Sequence, residues 1–336
     1  MQIGSTEIGS TLFFIAEEGQ ANLGDVRVAL DMIDLAADVG VDAIEFQAAR
    51  AADFYVASHP GYERYVKREF SEAQYRELIA RARARNVAFI ASPLSHTLVV
   101  PLRQAGCAAF NVNASDLTNP DIIDAVAESG LPFFLSLPMA TEQEIRWAIT
   151  RIQRHHQAGP FGLAHGQHTM ASAGGVPAAD TALGCIATLA RTYQEPMGFI
   201  DHTPHPWMPS VAVAAGAVFV SKHLIRSRSA HSPDWQICLE PDEMRDAVTM
   251  ARAVWKSVHV SSKDLAPGEQ GDRSIMRRSI VAARPLPSGT IVQRSDVVFK
   301  RPGTGLDPSQ YEEVIGKTTR RNFEADDQLV LADLQT

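Results

Sequence analysis

The sequence has few cysteines, no long apolar run and no excess of positive charge. Cys107, Cys185 and Cys238 lie far apart without a Cys-x-x-Cys pair, which excludes a disulfide framework and favours a reducing, cytoplasmic setting. No run of about 18 apolar residues is present to span a membrane, and the first residues do not read as a signal peptide. The 31 basic and 39 acidic residues give a net charge of −8, which argues against a nucleic-acid partner.

The composition is that of an ordinary globular protein. Of the 336 residues, 45% are hydrophobic and 21% are charged, which excludes extensive disorder and coiled-coil architecture. The length indicates two domains, or one large domain with a small appendage.

Short apolar runs recur along most of the chain, each followed by an amphipathic or alanine-rich stretch. The eight runs are Leu12–Ala16, Ala43–Phe46, Val87–Ala91, Ala108–Val112, Pro132–Leu135, Phe161–Ala164, Met197–Ile200 and Ala217–Val220. Eight strand-then-helix units within about 250 residues are typical of a (β/α)8 TIM barrel, an α/β fold. A doubly wound sheet is the main competitor, but no Gly-x-Gly-x-x-Gly follows the first run.

The composition of the sequence changes after Val258. Residues 259–276 are polar and contain Pro267, Gly268 and Gly271, so they read as a linker. Short β-like runs punctuated by glycine and proline follow. We therefore predict a barrel domain over 1–258, a linker over 259–276 and a small β-rich domain over 277–336.

Polar side chains stand at the predicted carboxyl end of every strand, where barrels of this kind carry their active sites. In strand order, these ends carry Glu17; Glu45 and Gln47; Ser92; Asn113, Ser115 and Asp116; Ser136; His165 and His168; Asp201 and His202; and Lys222 and His223. Structural strand ends are polar too, but so many histidines and carboxylates favour an active-site floor.

Two of these features suggest chemistry. His165 and His202 follow consecutive strands and form the best candidate metal pair, with Glu17 or Asp201 available to complete the shell of a divalent ion. Glu45 and Gln47 lie two apart and should face the barrel lumen together. Glu45 could be catalytic there, or it could simply pair with a barrel lysine or arginine.

Segments along almost the whole chain resemble the sialic acid (N-acetylneuraminate) synthases and their pseudaminate, legionaminate and spore-coat polysaccharide relatives. The segments are IAEEGQANLGD (15–25), DAIEFQ (42–47), FIASPLS (89–95), SDLTNPDII (115–123), FLSLPMATEQEI (134–145), GFIDHT (198–203), SKHLIRSR (221–228), SPDWQICLEPDEM (232–244), RRSIVA (277–282) and FKRPGTGLDPSQYEEVIGK (299–317). The last block is typical of the antifreeze-like (SAF) domain.

The resemblance implies a TIM barrel followed by a SAF domain, in a homodimer whose SAF domains are swapped. It implies condensation of phosphoenolpyruvate with an N-acetylated amino sugar, helped by Mn²⁺ or by Mg²⁺, Co²⁺, Fe²⁺ or Zn²⁺. It places His165 and His202 on the two metal-binding histidines and Glu17 beside the metal. On the substrate side it places Gln47 and Asp116 at the sugar, Ser92 and Ser136 at positions of substrate-binding loops, and Arg277 or Arg278 at the arginine given to the partner's sugar site.

The sequence departs from the family pattern where phosphoenolpyruvate should bind. Two lysines are expected in strands two and four, and Glu45 and Asn111 stand in their places. The loss of two cations and the gain of a carboxylate disfavour a highly charged anion unless other cations, such as Arg50 or Lys222, take over.

Three hypotheses follow. The first is a synthase with a rebuilt phosphoenolpyruvate site. The second is a metal-dependent lyase, aldolase or isomerase acting on a less anionic substrate, with Glu45, His168 or both as acid and base. The third is a non-catalytic binding relative.

Overall fold

The computed structural model describes all 336 residues, Met1 to Thr336. They form two compact units, Met1–Val260 and Ser261–Thr336. No helix combines the length and hydropathy that crossing a membrane requires.

The first unit is a closed barrel of eight parallel strands, so the TIM-barrel prediction is confirmed. Its strands are β1 (Phe13–Glu17), β2 (Ala43–Ala48), β3 (Ala88–Pro93), β4 (Ala109–Val112), β5 (Phe133–Ser136), β6 (Phe161–His165), β7 (Met197–Asp201) and β8 (Phe219–His223). Each strand pairs with the next along the chain, and β8 closes the barrel on β1 with Val220 opposite Phe14.

Helices follow the strands on the outside of the barrel. They are α1 (Val26–Val39), α2 (Glu72–Ala84), α3 (Val99–Ala105), α4 (Pro120–Glu128), α5 (Glu142–Ile152), α6 (Gly184–Tyr193), α7 (Met208–Ala214) and α8 (Pro241–Val258). The capping boxes predicted at Ser71 and Thr141 are present, and each satisfies backbone N–H groups that the first turn leaves unpaired. Two short helices, Ala51–Phe54 and Tyr62–Val66, lie in the long connection after β2.

Two apolar layers fill the barrel unit. The outer layer lies between strands and helices and includes Ile44 and Phe46. The inner layer includes Phe134, Phe219 and Ala43, joined by Ile3 of the amino-terminal hairpin Gln2–Glu7. Gly198 is required here, because a Cβ on it would lie 2.2 Å from the Phe219 ring. These inner-layer contacts fill the interior beneath the strand ends and place the first residues of the chain among them.

The second unit is small and mostly irregular. It contains α9 (Glu269–Met276), β9 (Ser279–Ala282), β10 (Val297–Lys300), α10 (Tyr311–Val314), β11 (Thr318–Thr319) and β12 (Leu334–Gln335). Its own core includes Ile280, Leu286, Val292, Phe323 and Leu329. The segment predicted as a linker therefore carries a helix, α9, whose residues are all exposed.

Candidate active site

A pocket of about 800 Å³ opens at the carboxyl ends of the barrel strands. Its walls include side chains from several strand ends, among them Glu17, Gln47, Asn111, Ser136 and His223. The sequence pattern of polar strand ends thus corresponds to one shared cavity, because parallel strands deliver their carboxyl ends to the same face of the barrel.

A hydrogen-bonded chain of three residues lies at the base of this pocket, where Asn111 and Ser136 line the cavity and Glu45 is buried against Asn111. Asn111 Nδ2 donates to Glu45 Oε1 at 2.6 Å, and Ser136 Oγ donates to Asn111 Oδ1 at 2.9 Å. Glu45 is buried and forms no salt bridge, so the pairing with a lysine or arginine that the sequence left open does not occur. Burial, reinforced by the charge of Glu17, raises the pKa of the Glu45 carboxyl to about 8, against the opposing hydrogen bond from Asn111.

A second polar chain runs along the wall formed by β1 and β2. Gln47 Nε2 donates to Glu17 Oε1 at 3.2 Å, and Gln20 Nε2 lies 2.5 Å from Gln47 Oε1 and 2.6 Å from Tyr65 Oη. Since Ile44 and Phe46 pack outside the barrel, Glu45 and Gln47 face the lumen, as the alternation of the strand predicts.

Three imidazoles form another wall. The ring centroids of His168 and His202 are 5.2 Å apart, and those of His202 and His223 are 5.4 Å apart. His202 Nδ1 and both ring nitrogens of His223 are buried without a hydrogen-bond partner, although His223 Nε2 lies 3.5 Å from Glu17 Oε2. Burial, and then the neighbouring His223, lower the pKa of His202 well below its usual value. Neutral imidazoles with free nitrogens are suitable metal ligands.

His165 is placed differently from His202. Its Nε2 lies 3.2 Å from the carbonyl oxygen of Thr181 and 3.1 Å from that of Ala182, so this nitrogen carries a proton and donates. Only Nδ1 remains available to a metal ion, and His165 is not among the residues that line the pocket.

The side chains of this wall could bind a divalent metal ion only in a site where water or substrate supplies some of the ligands. No three His, Cys, Asp or Glu side chains are grouped closely enough to enclose an ion. The unpaired nitrogens of His202 and His223 are nevertheless the orphaned buried atoms that a metal would satisfy. Its remaining ligands would be water or substrate, as in catalytic sites with open positions.

Asp201 and Lys222 are engaged with each other instead of the pocket. Both are fully buried, and Lys222 Nζ forms an ion pair with Asp201 Oδ2 at 3.0 Å and donates to the carbonyl of Thr203. Asp201 Oδ1 accepts from the backbone N–H of Thr203 at 2.8 Å. Both side chains therefore hold the loop after β7 and lie outside the pocket lining, so Asp201 is not placed to complete a metal shell and Lys222 is not the replacement cation that the sequence suggested.

The other predicted residues divide between the pocket and its surroundings. Ser136 and His168 line the pocket. Ser92 is completely buried, and Asp116 is held by Ser115 Oγ and Asn119 Nδ2, both at 2.8 Å; neither residue lines the pocket. Arg277 and Arg278 are exposed and belong to the second unit.

Sequence reasoning missed two cations of the pocket. Arg64 and Arg68, from the short helix after β2 and the turn that follows it, line the cavity together with Tyr65. Arg50, which the sequence suggested as a replacement cation, instead lies 3.8 Å from Glu69 and outside the cavity. The signal that could have found the pair is the cluster of basic and aromatic residues in YERYVKR (62–68), within the long connection after β2.

The chain is similar to known proteins along most of its length. The model of the NeuB family matches residues 32–263, and that of the SAF domain matches residues 277–335. An uncharacterized protein of Methanocaldococcus jannaschii is 30% identical over 97% of this chain and 95% of its own. The N,N'-diacetyllegionaminic acid synthase of Legionella pneumophila is 27% identical over 94% of this chain and 92% of its own. The crystal structure of N-acetylneuraminic acid synthetase from Leptospira borgpetersenii, in complex with citrate, superimposes with a TM-score of 0.75 at 29% identity, covering 81% of this chain and 94% of that one.

Proposed function

The chain belongs to the NeuB family, and from that premise we propose that it condenses phosphoenolpyruvate with an N-acetylated amino sugar to form a nonulosonic acid. The observation that carries the proposal is that Glu17, Gln47 and His202, which the resemblance assigns to the metal and the sugar, line one pocket. Relatives across nearly the full length of the chain are named synthases of legionaminic and pseudaminic acids.

In this reaction the sugar, phosphoenolpyruvate and water give the sugar acid and phosphate. A bond forms between the enol carbon and the aldehyde carbon of the sugar, and the phosphate leaves after water attacks. A divalent ion, Mn²⁺ first among those expected, would polarise the aldehyde oxygen when bound. His202 would hold it, with His165 contributing through Nδ1 or His223 through a free ring nitrogen.

The protein's own side chains would orient the reactants. Gln47, fixed between Glu17 and Gln20, presents a defined amide edge to sugar hydroxyls. Glu45 retains its proton at neutral pH because its pKa is raised to about 8, so it adds no negative charge beside Asn111, the amide that lines the pocket.

The same carboxyl group favours a second candidate function. A buried glutamate and an asparagine stand where the family resemblance expects phosphoenolpyruvate lysines. A metal-dependent aldolase, lyase or isomerase that uses a less anionic substrate, such as pyruvate, would be compatible with an uncharged acid and an amide at these positions.

The test is product formation by the full chain, supplied with Mn²⁺ and a panel of N-acetylated amino sugars. We expect phosphoenolpyruvate to yield an acid with the mass of sugar plus pyruvate, with equimolar phosphate release. Replacing Gln47 by alanine should lower kcat/KM for the sugar, whereas replacing exposed His156 by asparagine should not. Product formed from pyruvate alone would support the second candidate, and no product from either donor would contradict both.

A further inference from the structure

We infer that Arg64 and Arg68 form an anion-binding subsite of this pocket, which takes the carboxylate or phosphate group of the substrate. The inference deepens the proposed function and rests on it in one respect, namely that the substrate is anionic.

The first support is that both guanidinium groups border the cavity without a counter-ion. No carboxylate lies within 4.0 Å of either one, whereas Arg81, Arg151 and Arg228 of the same unit are each paired with an acid. Arg64 lies on the short helix Tyr62–Val66 and Arg68 in the turn that follows it, and both border the same cavity. A pair of unneutralised cations in a concave site is suited to an anionic ligand.

The second support is that Arg68 is held in position. Its Nη1 donates to Gln20 Oε1, and Gln20 in turn contacts Tyr65 Oη and Gln47 Oε1. The guanidinium is therefore connected, through two glutamines, to the strand-end residues of the active site. Arg68 is half-buried, and burial followed by the charge of Arg64 lowers the pKa of its guanidinium. The effect of the Arg64 charge on Arg68 agrees with their common position on the cavity wall.

The acidic groups near Arg64 and Arg68 do not neutralise these arginines, which leaves both available to an anionic ligand. Glu18 and Asp234 are the carboxylates whose charges act on Arg68, but neither is within ion-pair distance. The Glu18 carboxylate accepts hydrogen bonds from the backbone and side chain of Asn22, both at 2.6 Å. Its hydrogen-bonding capacity is thus used in fixing the loop after β1.

The third support is the contrast between this wall and the base of the pocket. The base carries Glu45 and Asn111, and Glu17 lies nearby, so the base offers no cation. Because a planar guanidinium matches carboxylate and phosphate oxygens in bidentate geometry, the anionic end of a substrate is favoured beside Arg64 and Arg68. Its reacting end is then directed toward Glu17 and the histidines.

The experiment is calorimetric titration of the full chain with phosphoenolpyruvate, inorganic phosphate and pyruvate, each in separate runs. The variants are Arg64→Gln, Arg68→Gln and the double substitution. Arg76→Gln is the matched control, because Arg76 is an exposed arginine on α2 that lies 3.7 Å from Glu72 and outside the pocket. Thermal unfolding of each variant monitors folding, and Arg64→Gln removes no hydrogen bond of the protein.

We expect each single substitution to weaken phosphoenolpyruvate binding at least tenfold, the double substitution to weaken it further, and the control to bind within twofold of the unaltered chain. Loss of phosphate but not pyruvate binding identifies the phosphate group as the ligand, and the reverse identifies the carboxylate. Binding unchanged in the double variant, or no binding of any of the three anions by the unaltered chain, overturns the inference. Arginine-dependent anion binding in a chain that makes no sugar acid would instead keep the inference and contradict the proposed function.

Discussion

Asn111 donates a 2.6 Å hydrogen bond from Nδ2 to Oε1 of Glu45, and these two residues occupy the positions of two expected lysines. The pair is complementary: the amide satisfies one carboxyl oxygen, and its own oxygen accepts from Ser136. Two buried lysines would need an anion between them, whereas this arrangement is satisfied within the protein. The Glu45–Asn111–Ser136 chain therefore provides an acid, an amide and a hydroxyl, and no cation, at the base of the pocket.

The first prediction concerns how stability depends on pH. The pKa of Glu45 is raised from 4.5 to about 8, mainly by burial, so the folded chain binds this proton more tightly than the unfolded chain. The stabilising effect is complete below about pH 4.5 and is lost as pH rises toward 8, at up to roughly 1.4 kcal/mol per pH unit for one group. We expect Glu45→Gln, measured by urea unfolding of chelated protein from pH 5 to 9, to reduce this slope.

Glu18 provides the comparison for that measurement. Its pKa is raised to about 7, again mainly by burial, so it produces a similar slope that ends at lower pH. Glu45→Gln should leave the slope below pH 7 partly intact and flatten the curve between pH 7 and 8. An unchanged curve in the variant would show that Glu45 ionises normally in the folded chain.

The second prediction concerns restoring the expected lysines. The double substitution of Glu45→Lys with Asn111→Lys adds at least two positive charges to the base of the pocket. We expect the dissociation constant for phosphoenolpyruvate to fall at least tenfold, because a desolvated site strengthens charge interactions. Calorimetry of the metal-loaded chain gives the constant.

Substitutions that add at least as much positive charge outside the pocket control for long-range effects. Glu77→Lys with Gln153→Lys changes two exposed positions by the same side chains. Tightening in this control would assign the effect to net charge. Phosphoenolpyruvate turnover that appears only after lysine restoration would show that the unaltered chain has abandoned that donor.

The barrel could be predicted from the sequence because each buried strand leaves a local signal. Parallel strands covered on both faces are continuous apolar runs, and the run Ala43–Phe46 extends only to Ala48 in the structure. The small unit was less regular than its runs suggested. Ile291 forms only an isolated bridge to Thr318, because a segment dense in glycine and proline cannot sustain a ladder.

The sequence predicted where the candidate site lies, but it did not predict which side chains contact one another there. Strand ends gave Glu17, Gln47 and His202, since topology alone delivers them to one face. Which atom each side chain uses depends on contacts between distant segments. The sequence did not show that the Lys222 side chain pairs with Asp201. Nor did it show that Arg64 reaches the pocket from a short helix in the long connection after β2.

The third prediction concerns that buried ion pair. Lys222→Met would leave the fully buried carboxylate of Asp201 without its cation, which typically costs about 3–5 kcal/mol. Urea unfolding should show this loss, and adding Asp201→Asn should recover part of it, because asparagine still accepts from Thr203. Arg146→Met, which breaks an exposed pair with Glu142 on α5, is the control and should cost at most about 1 kcal/mol. A loss for Lys222→Met no larger than that of the control would mean that the pair does not support the loop.

The last prediction concerns the metal. His202 has a buried, unpaired Nδ1, and it is common to both candidate pairs of imidazoles, so His202→Asn should weaken Mn²⁺ binding at least tenfold in calorimetry. His156→Asn changes an exposed histidine and should not alter binding. The variants His165→Asn and His223→Asn then identify the second imidazole. Loss of Mn²⁺ binding in His165→Asn shows ligation through Nδ1, the nitrogen that the carbonyls of Thr181 and Ala182 leave free. Loss of Mn²⁺ binding in His223→Asn places the ion beside Glu17. Unchanged Mn²⁺ binding in His202→Asn would contradict a metal site on this wall, because His202 is the ligand that the His202–His165 and His202–His223 pairs share.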